Sequence, residues 1–170
     1  MDADSLRALQ APLKEKYRET PDSALVTLKS HGTLDADGVA CRVETGRALI
    51  EAGLHPATGG SGLQACSGDM LLDALVACAG VTLKAVATAI DFQLKSGTVH
   101  AEGDLDFRGT LGVDREAPVG FRAIRLSFRL DTDEPDDKIA TLLKLTERYC
   151  VVFQTLNRRP DLSAEANRGS

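Results

Sequence analysis

The stretch DMLLDALVACAGVTLKAVATAI, residues 69–90, decides the fold. It is rich in strong helix formers, and nearly every face of the helix that it predicts is apolar or small. A helix of this kind is buried on all sides, and one small domain does not easily cover all of them. A second copy of the chain would supply the missing cover. The stretch therefore predicts a central helix and favours a homodimer.

Cys78 lies in the middle of this apolar run. Cysteine is among the most buried residue types, and a single cysteine in an apolar helix is more often a small core residue than a reactive one. The alternative is a helix that carries a reactive sulfur into the interior. The residues around Cys78 do not decide between these two interpretations.

The composition bounds the class of protein. The chain has 170 residues, of which 43% are hydrophobic, so we expect a single domain with a sizeable core. Aromatic residues make up 4%, and the net charge is −5, so the chain offers neither stacking surfaces nor a basic face to nucleic acid. The start of the chain, MDADSLRALQ, is unlike a signal peptide, and Asp73 and Lys84 interrupt the most apolar stretch. We expect a soluble cytoplasmic protein without a membrane partner.

Four cysteines and three histidines are the residues that could carry chemistry. None of the cysteines forms a CxxC pair, and no histidines share the spacing of a metal site, so no metal or organic cofactor is expected. Stable disulfides are disfavoured in a cytoplasmic chain, and one that forms is more often transient or catalytic. We interpret Cys41 as a strand core residue and Cys66 as a loop residue open to incidental oxidation. The other two cysteines are Cys78 and Cys150.

The rest of the chain predicts an α+β organisation in one domain over residues 21–158. Residues 1–20 predict an N-terminal helical extension, and residues 159–170 a polar, flexible tail. Two β regions, a glycine-rich loop and a second helix complete the chain. Ser67 or Asp69 is predicted as the N-cap of the central helix. The strands are predicted at 24–32, 38–46, 47–52, 98–111 and 121–130, the loop at 55–69 and the second helix within 133–156. Cys150 is predicted to lie at or just beyond the end of that helix.

Two segments of the chain resemble one known family. CSGDMLLDALVACAGVTL, residues 66–83, is similar to the helix that carries the first cysteine of the OsmC/Ohr family of organic hydroperoxide reductases. ERYCVVFQTL, residues 147–156, is similar to the segment that carries the family's second cysteine. The resemblance covers residues 24–158.

This resemblance implies antiparallel sheets wrapped around two long central helices, in an intertwined homodimer with active sites at the interface. It implies that Cys78 is the peroxidatic thiolate, which attacks the O–O bond of an organic hydroperoxide and becomes a sulfenic acid. Cys150 would then resolve the sulfenic acid as a disulfide. An external dithiol, lipoyl-linked in some members, would reduce the pair.

The thiolate role of Cys78 needs a stabilising charge. Burial raises the pKa of a thiol, and lowering it by about two units requires about 2.7 kcal/mol. A guanidinium at about 4 Å supplies about 4 kcal/mol before desolvation. In the family an arginine from the N-terminal strands stabilises the thiolate, and an acidic residue near the start of the first helix holds this arginine. Arg42 matches best by position, with Arg47 next, and Asp69 matches the acid.

The chain departs from the family pattern at two positions. Some members have their acidic residue ten positions before the cysteine, where this chain has Gly68. Many members have a proline after the second cysteine, where this chain has Val151, so the helix could continue through Cys150. Two other functions therefore stay open: a non-catalytic dimer that binds a small apolar ligand, and a thiol-based redox sensor.

Overall fold

The structure, a computed structural model, describes residues 2–5, 8, 11, 19–20, 32–34, 40–44, 49–112 and 114–168. Most of the predicted N-terminal extension, and the predicted strand over 24–31, lie outside the described residues. The tail from residue 158 to residue 168 is exposed along its length.

The first sheet has four strands in the order β1 to β4. β1 (Gly32–Leu34), β2 (Ala40–Glu44) and β3 (Leu49–Gly53) pair antiparallel, which confirms the predicted antiparallel meander for the part of it that is described. β4 (Ala65–Cys66) pairs parallel with β3. Cys66 was predicted to lie in a loop and instead lies in this strand, immediately before the first long helix.

Helix α1 (Ser67–Ala89) follows β4 directly. Its N-cap is Cys66, which makes no side-chain capping bond, so the prediction of Ser67 or Asp69 as the cap was wrong. Asp69 lies instead in the first turn, where its charge favours the positive end of the helix dipole. By length and composition α1 could cross a membrane, but the core helix of a soluble protein passes the same test.

A β-hairpin packs against α1. β5 (Ser96–Asp104) pairs antiparallel with β6 (Ala123–Asp131) over their full length. Burial alternates along β6, because the apolar residues predicted for one face are the half-buried ones; they are Ile124, Leu126, Phe128 and Leu130. The strand predicted over 98–111 ends at Asp104, and α2 (Phe107–Thr110) is a short helix capped by the side chain of Asp106.

The predicted second helix ends at Cys150, as expected for a residue at or just beyond its end, and a further short helix follows. α3 (Asp136–Tyr149) ends at Cys150, and α4 (Val151–Asn157) begins immediately after it. Cys150 has extended backbone angles, with φ −73° and ψ 108°, and is the only residue between the two helices. The chain therefore breaks at Cys150 although no proline follows it.

Two apolar clusters lie along α1 and hold these elements together. The first joins the C-terminal half of α1 to α3 through Leu83, Val86 and Leu142. The second joins the middle of α1 to α4 and the hairpin, and its buried members are Leu75, Ala79 and Cys150. Cys78 packs at the edge of this second cluster, so the fold brings both cysteines of the predicted pair into one apolar environment.

A cysteine pair between two helices

Cys78 and Cys150 approach each other where α1 meets the start of α4. Cys78 is half-buried on α1, and Cys150 is fully buried at the junction of α3 and α4. Both are free thiols, and their side chains are hydrogen-bonded to each other. The two residues singled out from the sequence are therefore brought together, although they are far apart in the chain.

Hydrogen bonds make Cys78 the more acidic thiol of the pair. Burial is the largest single influence and by itself raises the pKa of Cys78. Bonds from the Val152 N–H, the Cys150 thiol, the Val151 N–H and the Thr82 hydroxyl outweigh it, so the net pKa lies below the usual value for cysteine. Cys78 is thus the thiol of the pair that ionises more readily.

The pKa of Cys150 is shifted in the opposite direction, above the usual value for cysteine. Burial is again the largest influence and raises the pKa of Cys150, while the Phe153 N–H lowers it. The neighbouring Cys78 raises it further, both through the shared hydrogen bond and through its negative charge. Cys150 is therefore the less acidic thiol of the pair, and it keeps its proton when Cys78 ionises.

The backbone amides of α4 are the part of the site that the sequence did not reveal. Because the chain breaks at Cys150, α4 begins with N–H groups that have no partner inside the helix, and those of Val151 and Val152 bond to the Cys78 sulfur. Thr82 follows Cys78 by one helical turn, a spacing that places the two side chains on one face of α1. That spacing was the available signal for Thr82, whereas no sequence signal marked the amides.

The predicted arginines do not have described side chains. Arg42 lies in β2, where its register partners are Thr33 and Glu51, while Arg47 lies outside the described residues. The acid directly opposite Arg42 in the sheet is thus Glu51, which also accepts a hydrogen bond from Gln64 at 2.7 Å. Whether an arginine assists Cys78 stays a prediction.

Asp69 is not brought beside Cys78. It is exposed, and the nine residues between the two positions span about two and a half helical turns, or about 14 Å along α1. That spacing also places Asp69 on the opposite face of the helix from Cys78. A residue held by Asp69 would therefore lie well away from the cysteine pair.

A groove of about 320 Å³ opens next to the cysteine pair. Four of its lining residues also belong to the cluster that contains the two cysteines, and they are Leu75, Ile124, Leu126 and Phe153. Phe121 and Arg122 line the groove at the start of β6. The volume is at the lower end of the range for small-ligand pockets, and the floor is apolar.

A second cavity of about 400 Å³ lies at the N-terminal end of α1. Its wall is mostly apolar, with contributions from Leu71, Leu105 and Phe107. His55 and Cys66 also line it, and the His55 ring stacks on Phe107 at 4.9 Å between centroids. Phe121 lines this cavity as well as the groove.

Together the fold and the site define a class of protein: an α+β domain with a hydrogen-bonded dithiol between two helices. The sequence model of the family described as OsmC-like protein matches residues 60–165. The chain belongs to the OsmC-like family. No curated protein matches the chain significantly.

Solved structures share this fold. An OsmC-like protein from Mycoplasma pneumoniae superposes with a TM-score of 0.64 at 17% identity, over 78% of this chain and 88% of that one. An organic hydroperoxide resistance protein OsmC from Legionella pneumophila gives 0.61 at 13%, over 78% and 91%. An OsmC-like protein of unknown function from Vibrio cholerae gives 0.62 at 15%, over 77% and 94%. At these identities the likeness establishes the α+β, OsmC-like fold.

Proposed function

We propose that the protein is a thiol-dependent peroxidase that reduces organic hydroperoxides, with alkyl or fatty-acid groups, in defence against oxidative stress. The observation that carries the proposal is the asymmetry of the cysteine pair: hydrogen bonds, two of them from the start of α4, lower the pKa of Cys78, whereas the pKa of the neighbouring Cys150 is raised. A low-pKa thiolate next to a resolving thiol is the arrangement that this chemistry needs. Membership of the OsmC-like family and the likeness to a hydroperoxide resistance protein support it.

The reaction needs only the two sulfurs and a reductant. The Cys78 thiolate attacks the terminal oxygen of the hydroperoxide, the O–O bond breaks, and the alkoxide leaves as the alcohol after taking a proton. Cys78 is now a sulfenic acid. Cys150 attacks its sulfur, the S–O bond breaks, the hydroxide leaves as water, and a Cys78–Cys150 disulfide forms. An external dithiol, lipoyl-linked in the proposal, returns both cysteines to thiols by exchange.

The proposal includes a cytoplasmic homodimer. One face of α1 is apolar but open to solvent in the single chain, with Leu71 37% and Val81 73% exposed. Cys78 lies on the same stripe of the helix, since residues three and seven positions apart share a face. A second copy on this face would shield the thiolate from bulk water and complete the walls around it.

The first test is a count of free thiols after the reduced protein reacts with one equivalent of cumene hydroperoxide. We expect each chain to lose two thiols within seconds, and peptide mapping to give a Cys78–Cys150 disulfide. A Cys78→Ser variant should keep its remaining thiols, whereas Cys66→Ser should react like the wild type. Survival of all wild-type thiols would contradict the peroxidase and favour an apolar-ligand binding protein. A disulfide that no dithiol reduces would favour a redox sensor.

A further inference from the structure

The two cysteines of the pair differ in how far solvent reaches them. Cys150 is 0% exposed, and it belongs to the buried part of its apolar cluster together with Leu75 and Ala79. Cys78 packs at the edge of that cluster and is only half-buried. A molecule from solvent therefore reaches Cys78, whereas Cys150 is covered by protein atoms.

The geometry of thiol–disulfide exchange makes this difference decisive. The attacking thiolate approaches one sulfur from the side opposite the other sulfur, in line with an S–S bond of about 2 Å. All sides of Cys150 are covered, so an in-line approach to its sulfur is blocked. Because Cys150 lies on the inner side of Cys78, the side of Cys78 opposite to it faces outward. An in-line approach to a Cys78–Cys150 disulfide is thus open only at Cys78.

The acidity of the two thiols would favour the opposite choice. The better leaving group in an exchange is the thiol with the lower pKa, which is Cys78 in the reduced protein. Part of the rise in the pKa of Cys150 comes from the negative charge of Cys78, and this charge is absent while Cys78 is in a disulfide. The N–H groups of Val152 and Phe153 stay beside Cys150 and lower its pKa. Access therefore outweighs acidity, because a covered sulfur does not react until the cluster around it opens.

We propose that the external dithiol attacks the disulfide at Cys78, so that Cys78 is attacked in the reductive half of the cycle and Cys150 is the leaving group. This inference rests on the proposed peroxidase function. The hydroperoxide must reach the same sulfur, so one approach serves both substrates. A second copy of the chain on the open face of α1 must leave this approach free.

The reduction then consists of two exchanges. The first thiol of the dithiol gives its proton to solvent, and its sulfur bonds to the Cys78 sulfur while the S–S bond of the protein breaks. Cys150 leaves with the electron pair of that bond and takes the proton of the second thiol. The second sulfur of the dithiol then attacks the first, and Cys78 leaves as the thiolate. The dithiol is released as a disulfide, oxidised by the two electrons that the protein has gained.

The test is to trap the first exchange with a monothiol, which cannot complete the second exchange within one molecule. Diamide forms the disulfide in the wild type, a short pulse of 2-mercaptoethanol follows, and acid with N-ethylmaleimide stops the reaction and blocks free thiols. We expect peptide mapping to find 2-mercaptoethanol on Cys78 and maleimide on Cys150, with at least about tenfold less of the reverse pattern. A majority of 2-mercaptoethanol on Cys150 would overturn the proposal.

A tryptophan placed over Cys78 gives a second measurement. Val81 is 73% exposed and follows Cys78 by three positions, and helical side chains lean toward the N-terminus, so the ring of Val81→Trp should cover Cys78. We expect slower reduction of the disulfide by dithiothreitol and slower oxidation by cumene hydroperoxide, each by at least about tenfold.

Ala77→Trp is the matched control for this substitution. Ala77 is also exposed on α1, but a side chain at this position leans away from Cys78, so neither rate should change. A general effect of a bulky ring on this helix would appear in both variants. If Val81→Trp slowed the oxidation and left the reduction by dithiothreitol unchanged, the two substrates would use different approaches and the proposal would be wrong.

Failure of the peroxidase function gives a different result. In that case cumene hydroperoxide leaves the thiols of the wild type intact, whereas the disulfide formed by diamide still shows which sulfur a thiol attacks. A 2-mercaptoethanol adduct on Cys78 would then support the order of exchange without the peroxidase. A protein in which diamide forms no Cys78–Cys150 disulfide would overturn both.

Discussion

The acidity of Cys78 depends on a few hydrogen-bond donors around its sulfur. An arginine was predicted to activate Cys78, because a guanidinium is a strong source of charge stabilisation, and this stays a prediction. Among the described residues, the structure provides backbone N–H groups, a thiol and a hydroxyl, all hydrogen-bonded to one sulfur. Hydrogen bonds to a charged group are individually worth about 1.5–3 kcal/mol, so two or three of them can offset the burial of a thiolate.

The amide of Val151 can be removed without altering the shape of the site. Proline is favoured at the first position of a helix, and the residue before it prefers the extended conformation that Cys150 already has. Val151→Pro should therefore keep the fold but raise the pKa of Cys78 by about one unit, the equivalent of one hydrogen bond to a charged group. The measurement is a pH titration of thiolate absorbance in a Cys66→Ser background.

The sign of the pH dependence follows from the direction of the shift. Because the pKa of Cys78 lies below the usual value, the rate of its oxidation should rise with pH and reach its plateau below the pH at which an ordinary cysteine does. In Val151→Pro that rise should move to higher pH. Val151→Ala keeps the N–H, and the Val151 side chain is 68% exposed, so the titration of this control should match the wild type. Identical titrations of the proline and alanine variants would refute the role of the amide.

Thr82 offers a second test on the same sulfur. Its hydroxyl bonds to Cys78 from one turn further along α1, and valine has nearly the same shape without the donor. We expect Thr82→Val to raise the pKa of Cys78 and to lower the rate of oxidation near neutral pH a few-fold. Thr82→Ser retains the hydroxyl and should restore both quantities. A serine variant that behaves like the valine variant would assign the effect to packing.

Among the helices and strands, the sequence predicted those features that follow from a local repeat of apolar residues. The helix expected over 69–90 is present as Ser67–Ala89, and the alternating face of β6 is buried as expected, since both rest on periodicity. The end of α3 at Cys150 agrees with the prediction that Cys150 lies at or just beyond the end of the helix. The new helix that begins immediately after this break could not be predicted, because no glycine, proline or capping residue marks its start. That break is what frees the amides at the start of α4. The hydrogen bonds from these amides to Cys78 thus depend on the start of α4, a boundary that the periodicity of apolar residues does not determine.

The packing of α3 on α1 should carry much of the stability of these elements. Leu142 is fully buried in the cluster that joins the two helices. Leu142→Ala should lower the free energy of unfolding by about 2–5 kcal/mol, because it removes apolar contacts and leaves a cavity. Urea denaturation of the reduced protein measures the change. Leu162→Ala is the control, since Leu162 is 85% exposed and its truncation should leave the midpoint unchanged. Equal midpoints for Leu142→Ala and wild type would mean that α3 contributes little.

At the scale of the whole molecule, the open face of α1 is the main feature that the single chain leaves unexplained. The sequence predicted a helix buried on all sides, but five of its residues are buried in one chain, and Val81 is 73% exposed. A helix that is apolar on nearly every face is normally buried on all sides, and exposing one face to water is unfavourable. The face therefore supports the homodimer that forms part of the proposed function.

Val81→Lys distinguishes a face that is buried in a homodimer from one that stays exposed to solvent. In a twofold dimer the substitution appears twice in one interface, and burying two like charges there costs several kcal/mol, so we expect the dimer to dissociate at micromolar concentration. A single chain should tolerate the change, because the side chain is already in solvent. Sedimentation velocity gives the oligomeric state, and circular dichroism shows whether the fold is retained.

A control substitution tests whether the effect is specific to this face, and the oxidation products of Cys78 test whether the face protects the thiol. Leu111→Lys changes another exposed apolar residue, at the end of α2, and should leave the oligomeric state unaltered. Because Cys78 shares the open stripe of α1, dissociation of the dimer would also expose its sulfur to bulk water. Water competes for the thiolate and lets the sulfenic acid react further, so Val81→Lys should form less of the Cys78–Cys150 disulfide per turnover and more over-oxidised Cys78. A wild type that sediments as a monomer and still forms the disulfide in full would place the entire site within one chain.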